Sequence, residues 1–179
     1  MRKRFLFGMV LASFLLASCS LAVEQEFLAR THQLPDLQLR NATYSLDRKE
    51  DRPLFVEASL ISFYDSTNQA ILTDVTFYQE DGEKTIVLRG KADRAEVQTQ
   101  TYDAKLSGSI RVEKPSEQLV IEAEELRYNH EELLLTSTEG TPITLIFEGN
   151  KRVVGTSLVA ELATSTFTFG SLDEGVFEL

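Results

Sequence analysis

The chain has 179 residues and a formal net charge of −10, with a sequence pI near 4.7. Such an acidic surface repels phosphate backbones, and no basic patch interleaved with aromatics offsets it, so nucleic-acid binding is disfavoured. The one cysteine, Cys19, leaves no disulfide framework, and the fold must hold by its apolar core.

Arg2, Lys3 and Arg4 precede an apolar run from Phe5 to Leu16 broken only by Gly8 and Ser13. This pattern predicts a secretory signal peptide over residues 1–18, too short for a comfortable membrane span. Leu16, Ala17, Ser18 and Cys19 look like a bacterial lipobox, in which Cys19 is lipidated and becomes the new N-terminus. More than one acyl chain there gives lasting attachment, which makes the expected protein membrane-bound without spanning. Taking the three leader cations from the 18 Lys and Arg leaves 15 against 28 Asp and Glu, a net charge of −13. Residues 19–35 then form a tether with weak helical spacing that stops at Pro35.

Residues 36–179 suffice for a single domain with a substantial core. Leu37, Leu39, Thr43, Tyr44 and Leu46 mark a first strand, and Asp47 to Pro53 a charged turn. Strands follow over 54–64 and 70–79, and then Asp81-Gly82 signals a hairpin. Residues 85–98 and 102–113 make the next pair. In the latter Tyr102, Ala104, Leu106, Gly108, Ile110 and Val112 alternate with polar neighbours, the pattern of a half-buried strand. Further strands are expected over 119–128, 132–137, 141–148, 153–162, 165–169 and 175–179. Many short strands separated by turn signals argue for an all-β barrel, sandwich or jelly roll.

One pattern recurs along these strands. In Ile121, Ala123, Leu126 and Tyr128 the apolar residues stand at i, i+2, i+5 and i+7, and the doubled gap marks a bulge or bend that keeps one side inward. The spacing returns in Val56, Ala58, Ile61, Phe63, in Gly90, Ala92, Ala95, Val97, and in Val153, Gly155, Leu158, Ala160. Ala or Gly fills the second position each time, as close approach at a bend requires. The expected architecture is a curled antiparallel sheet.

The constellations of common enzymes are missing. The sequence has no phosphate-binding Gly-rich loop with Lys and Ser or Thr, no Gly-x-Ser-x-Gly elbow and no His-Glu-x-x-His. His32 falls in the tether and His130 in a turn, where both read as solvent-exposed polar residues rather than metal ligands. Glu122 and Glu124 alternate with apolar positions and should point outward. The expectation is a protein without catalytic residues, cofactor or metal.

Two stretches carry a family resemblance. Pro35, Asp36, Leu37, Gln38, Leu39, Arg40, Asn41, Ala42, Thr43, Tyr44 and the segment Leu54 to Tyr64, with Ala58 inside it, resemble the opening of the folded domain in the LptC family of lipopolysaccharide-export proteins. Arg152, Val153, Val154, Gly155 through Phe169 resembles that family's late Gly-containing segment. The likeness covers about residues 35–179, and these motifs fit LptA-like proteins almost as well. Many family members are held by a transmembrane helix, whereas this chain resembles a lipoprotein. Ser20 does not supply the aspartate that retains many lipoproteins at the inner membrane.

The resemblance implies a curled antiparallel β-jellyroll in the periplasm that relays lipopolysaccharide or a related glycolipid from an inner-membrane ABC transporter. Its inner face would carry Phe63, Leu72, Phe77, Leu88, Leu106, Ile110, Ile121, Tyr128, Leu145, Phe147, Leu158, Phe167 and Phe169, either as core or as a lipid-accommodating groove. The edge at Leu37, Leu39, Thr43 and Tyr44 would join the transporter's periplasmic domains, and the edge at Val176, Phe177 and Leu179 an LptA-like bridge protein. Cys19 would fix the chain to a membrane, the inner one on functional grounds, with the outer membrane as the alternative. The alternative is a non-catalytic structural or interaction lipoprotein of the envelope with a closed core.

Overall fold

The computed structural model describes residues 34–46, 53–148, 151–164 and 166–176. The stretch expected to be a signal peptide, Cys19, the expected tether before Leu34, and Phe177 and Leu179 lie outside them. The described chain is all β apart from two short 3-10 turns, Asp65–Thr67 and Pro115–Glu117. Its strands are β1 (Leu37–Leu46), β2 (Leu54–Tyr64), β3 (Gln69–Glu80), β4 (Ile86–Gln98), β5 (Ala104–Lys114), β6 (Leu119–Asn129), β7 (Leu134–Ser137), β8 (Pro142–Phe147), β9 (Lys151–Thr156), β10 (Val159–Glu161), β11 (Thr166–Thr168) and β12 (Ser171–Val176). All pairings are antiparallel.

β1 to β6 form a meander in sequence order, and then the sheet divides. The first half of β6 pairs with β8, as in Ile121 opposite Leu145, and the second half with β7, as in Tyr128 opposite Leu135. β8 leads on to β9 and β12, and β7 to β10 and β11. The division shows that each pass of the chain has two halves, which belong to two walls meeting along a seam. β7 with β8, β9 with β10 and β11 with β12 are interrupted versions of the bent strands β1 to β6.

The seam is visible in the backbone. Asn41, Asp74 and Gly108 have φ of 47°, 49° and 89°, left-handed values in the middle of β1, β3 and β5. They lie in one row, because Arg40 and Ala42 face Leu60 and Ala58, while Thr73 and Val75 face Arg94 and Ala92. Asn and Asp tolerate this region better than most residues, and Gly adopts it without a steric cost. Polar side chains finish the bend: Ser59 Oγ donates to Asp74 Oδ2 at 2.8 Å, and the Ser109 backbone N–H to Asp93 Oδ2 at 2.9 Å.

β5 departs from its expected unbroken alternation. Between Lys91 opposite Arg111 and Arg94 opposite Ser107, β5 carries one residue more than β4, and it carries one more than β6 between Ser107 and Ile110. Gly108 sits in this bulge, where a Cβ would lie 2.3 Å from Asp93 Oδ2. An extra residue restores the same parity on both sides of the bend, so apparent alternation concealed a corner. Tyr102 precedes the strand, in a turn, and the expected strand 153–162 is broken at Ser157, which has φ 56°.

The core follows the seam. Ala58, Ile61, Leu72, Val75, Ala92 and Ala95 flank it and are buried, while Phe63, Phe77, Leu88 and Tyr128, nearer the strand ends, are only partly covered. Toward the C-terminal end, Leu126, Ile143 and Leu158 are fully enclosed among Ile110, Ile121, Leu135, Leu145, Val153 and Ala160. The walls are packed where they join and diverge toward their free ends.

Candidate functional site

The diverging walls enclose a cleft of about 1180 Å³, larger than the roughly 300–1,000 Å³ of pockets that hold ordinary small molecules. Its lining runs from Tyr44 and Leu46 on β1 to Phe167 on β11. Val56, Phe77, Leu88, Val112, Leu119 and Ile121 supply one wall, and Ile61, Phe63, Leu72, Ala95, Val97, Leu106 and Tyr128 the other. The bend explains why one sheet furnishes both: its doubled gap keeps the apolar side inward on either side of the corner. Gly90 makes room for a large residue in the lining, since a Cβ there would meet the Phe77 ring at 2.3 Å.

Of the interior residues expected from sequence, Phe63, Leu72, Phe77, Leu88, Leu106, Ile121, Tyr128 and Phe167 line this cleft. Ile110, Leu145 and Leu158 are instead buried in the packed C-terminal core, with Phe147 and Phe169 against it. Those five share the inward side with the others, but along the part of the walls already filled by protein.

The cleft is uncovered at β1. Among the described residues β1 pairs only with β2, and Leu37, Leu39 and Tyr44 on its inward side are 51%, 37% and 52% exposed. Thr43 is exposed on the same edge. At the other end β12 pairs with β9, with Val176 opposite Arg152 and a register shift between Leu172 and Glu174. The start of β1 is anchored by Asp36, whose backbone N–H donates to the Phe63 carbonyl at 2.8 Å and whose Oδ2 accepts the Asp65 N–H at 2.8 Å.

At the free ends of the second wall, neighbouring turns are laced together. The Thr99 N–H donates to the Asn68 carbonyl at 2.9 Å, the His130 N–H to Asp103 Oδ1 at 2.9 Å and the Leu162 N–H to the Leu133 carbonyl at 3.0 Å. The His130 N–H and the Thr101 hydroxyl hold the Asp103 carboxyl below its usual pKa. His130 is therefore not the solvated turn residue its position suggested. It is half-buried, its Nδ1 is 3.3 Å from the Tyr128 hydroxyl, and it lines the cleft beside Tyr102. Nothing local in the sequence reveals that the 99–103 and 130–133 turns are neighbours; only the register of β4, β5 and β6 does.

The outer faces are polar and ion-paired. Glu113 receives Arg111 at 2.6 Å and Arg89 at 2.5 Å, contacts that lower its pKa despite partial desolvation. Arg111 also pairs with Glu122, which points outward as its alternation requires. Lys105 and the Thr138 hydroxyl likewise lower Glu125. Among the described residues, no three His, Cys, Asp or Glu side chains converge as a metal site needs.

The family described as lipopolysaccharide-assembly, LptC-related matches residues 5–172. The chain belongs to this family. The LptC-related assignment is joined by a likeness of fold to a crystal structure of LptH from Pseudomonas aeruginosa, described as the LptA homologous periplasmic component of the conserved lipopolysaccharide transport device. The two share 15% identity with a TM-score of 0.57, over 72% of this chain and 96% of that one. No curated protein sequence matches the chain. The LptC-related chain thus has an antiparallel β-jellyroll whose sheet remains open, as the architecture of its two walls displays.

Proposed function

We propose that this LptC-related protein is a non-catalytic periplasmic segment of a lipopolysaccharide bridge and that its cleft carries the lipid's acyl chains. The observation that carries this reading is a single apolar cleft running from the uncovered β1 edge to β11. Each methylene moved from water into such a lining gains about 0.8 kcal/mol. Several fully buried long chains would therefore be held too tightly to leave. A partly open cleft lowers that hold, and onward movement is driven from the transporter.

In this reading β1, through Leu37, Leu39, Thr43 and Tyr44, adds to the transporter's periplasmic domain. The C-terminal edge at Val176, Phe177 and Leu179 accepts an LptA-like protein. Main-chain hydrogen bonds between unpaired strands supply the affinity, and an added bent strand prolongs the cleft. Lipid on Cys19 fixes residues 36–179 to the membrane through the tether 19–35, with residues 1–18 removed as the signal peptide. The inner membrane suits receipt from the transporter.

Photocrosslinkers placed at Phe77 and Ile121, which line the cleft, should capture lipopolysaccharide in membrane-derived samples. One at Ile143, fully enclosed in the C-terminal core, should not. Absence of lipid adducts from both cleft positions would sink the reading.

A further inference from the structure

Along the seam, corners of two kinds alternate. β1, β3 and β5 turn through a left-handed residue, Asn41, Asp74 and Gly108, whereas no residue of β2, β4 or β6 has a positive φ. The sequence marks the difference. In β2, β4 and β6 an alanine precedes the polar corner residue, as Ala58-Ser59, Ala92-Asp93 and Ala123-Glu124, while in β1 the order is Asn41-Ala42 and in β3 Asp74-Val75. The register sets the two kinds against each other, with Ala42 opposite Ala58 and Val75 opposite Ala92.

A left-handed residue swings its neighbouring peptide groups out of the ladder, and those groups need another partner. The extended corner of the preceding strand supplies it. Ser59 on β2 donates through Oγ to the Thr73 carbonyl, one residue before Asp74, at 3.1 Å. Asp93 on β4 accepts through Oδ2 the Ser109 N–H, one residue after Gly108, at 2.9 Å. β3 and β5 are thus each capped by the strand before them. β1 comes first, so its left-handed corner faces the open edge, and no side chain among the described residues supplies the equivalent bond.

We propose that the β1 edge selects as its partner a protein strand with an extended, polar-capped corner, an inference that rests on the reading of β1 as the joining edge. Such a strand reads as a small or apolar residue, x, Ala, then Ser or Asp, then x-apolar-x-apolar. Antiparallel to β1, it sets its Ala opposite Ala42 and its Ser or Asp opposite Asn41, where the side chain caps the β1 backbone as Ser59 caps β3. Asn41 is the specificity-determining residue, because its left-handed backbone creates the demand for a cap. A straight strand of strict alternation turns its far half to the wrong face beyond the corner. The β1 of a second copy also fails, since it brings another left-handed corner and no cap. The edge is therefore selected by backbone shape and one hydrogen bond, in addition to the main-chain pairing that any extended segment offers.

A fluorescent peptide with the sequence of β4, residues 86–98, is the probe, titrated into the full-length protein and followed by anisotropy. It should bind at least about fivefold more tightly than the same peptide with Asp93→Ala, and Asp93→Ser in the peptide should recover most of the affinity. In the protein, Asn41→Gly keeps the left-handed corner and should keep the preference, whereas Asn41→Val disfavours that backbone and should abolish it. Equal binding of the Asp93 and Asp93→Ala peptides, or a preference that survives Asn41→Val, would overturn the capping rule while leaving β1 as a joining edge. If no peptide binds, β1 as the join falls and the cap with it, while the acyl-chain reading is still decided inside the cleft.

Discussion

The C-terminal end of the domain and its N-terminal two-thirds are built from the same bent strand, yet one is filled and the other hollow. Around Leu126, Ile143 and Leu158, interrupted passes bring β7 and β8 against the two halves of β6, with β10 beside β7 and β9 beside β8, and the walls close on each other. From β1 to β5 the passes are continuous, so each wall extends further from the seam and inward side chains near the strand ends, such as Phe63 and Phe77, are only partly covered. The contrast teaches that cleft or core is decided by how far a strand continues past the bend. Inward hydrophobicity alone does not distinguish them.

The largest test of this contrast is a pair of charges. Ile110→Asp places an unpartnered carboxylate in the packed region and should cost more than about 4 kcal/mol in urea unfolding, enough to prevent folding. Leu88→Asp, in the half-open lining, should cost about 1 kcal/mol or less and leave far-UV circular dichroism unchanged while blocking lipid passage. Equal damage at both positions would erase the distinction between the regions.

The seam common to both regions is probed by Gly108→Ala. The new Cβ meets Asp93 and the left-handed backbone resists it, with an expected loss of roughly 1–3 kcal/mol. Gly82→Ala, where the added Cβ meets nothing within 4 Å, is the matched control. A similar loss at both would show that the bend is not under steric control.

The smallest expected effect is acid sensitivity. Folding lowers the pKa of Asp103, Glu113 and Glu125 through the hydrogen bonds described above. A lowered folded pKa gives stability that is complete above the unfolded values, near 4, and is lost as pH falls through the folded ones. Thermal unfolding followed from pH 6 down to pH 2.5 should therefore show Tm falling mainly below about pH 4.5. Asp103→Asn should flatten part of that fall, and because these groups are largely solvated each contribution is small. An unchanged profile in Asp103→Asn would detach the laced rim from acid stability.

Much of this architecture was legible in the sequence, because period-2 alternation with a doubled gap has a direct meaning for a pleated strand. Four copies of the pattern stand out at Val56, Gly90, Ile121 and Val153, and their strands do bend. Two more were equally present and not singled out: Leu37, Leu39, Ala42, Tyr44 in β1 and Ala70, Leu72, Val75, Phe77 in β3. The β5 corner was hidden, since a bulge that adds one residue leaves the alternation looking intact. The division of β6 was also hidden, since pairing partners far along the chain leave no local mark. For the same reason sequence placed Leu88 and Leu145 in one class, though one lines the cleft and the other is core. Tyr102 and His130 escaped because their meeting depends on two turns brought side by side by three strands.

Asn41 gives the free edge a further property. An edge strand of ten residues whose outer side has no partner among the described residues invites any passing extended segment to zip along it, the first step toward amyloid-like aggregation. With its φ of 47° near the middle of β1, Asn41 breaks that template into two short runs pointing in different directions. A flat intruder can engage one run at a time, whereas a strand that turns its own corner opposite Asn41 can engage both. The bend that shapes the cleft thereby also acts as a gatekeeper, limiting which extended segments can pair along the whole of this edge.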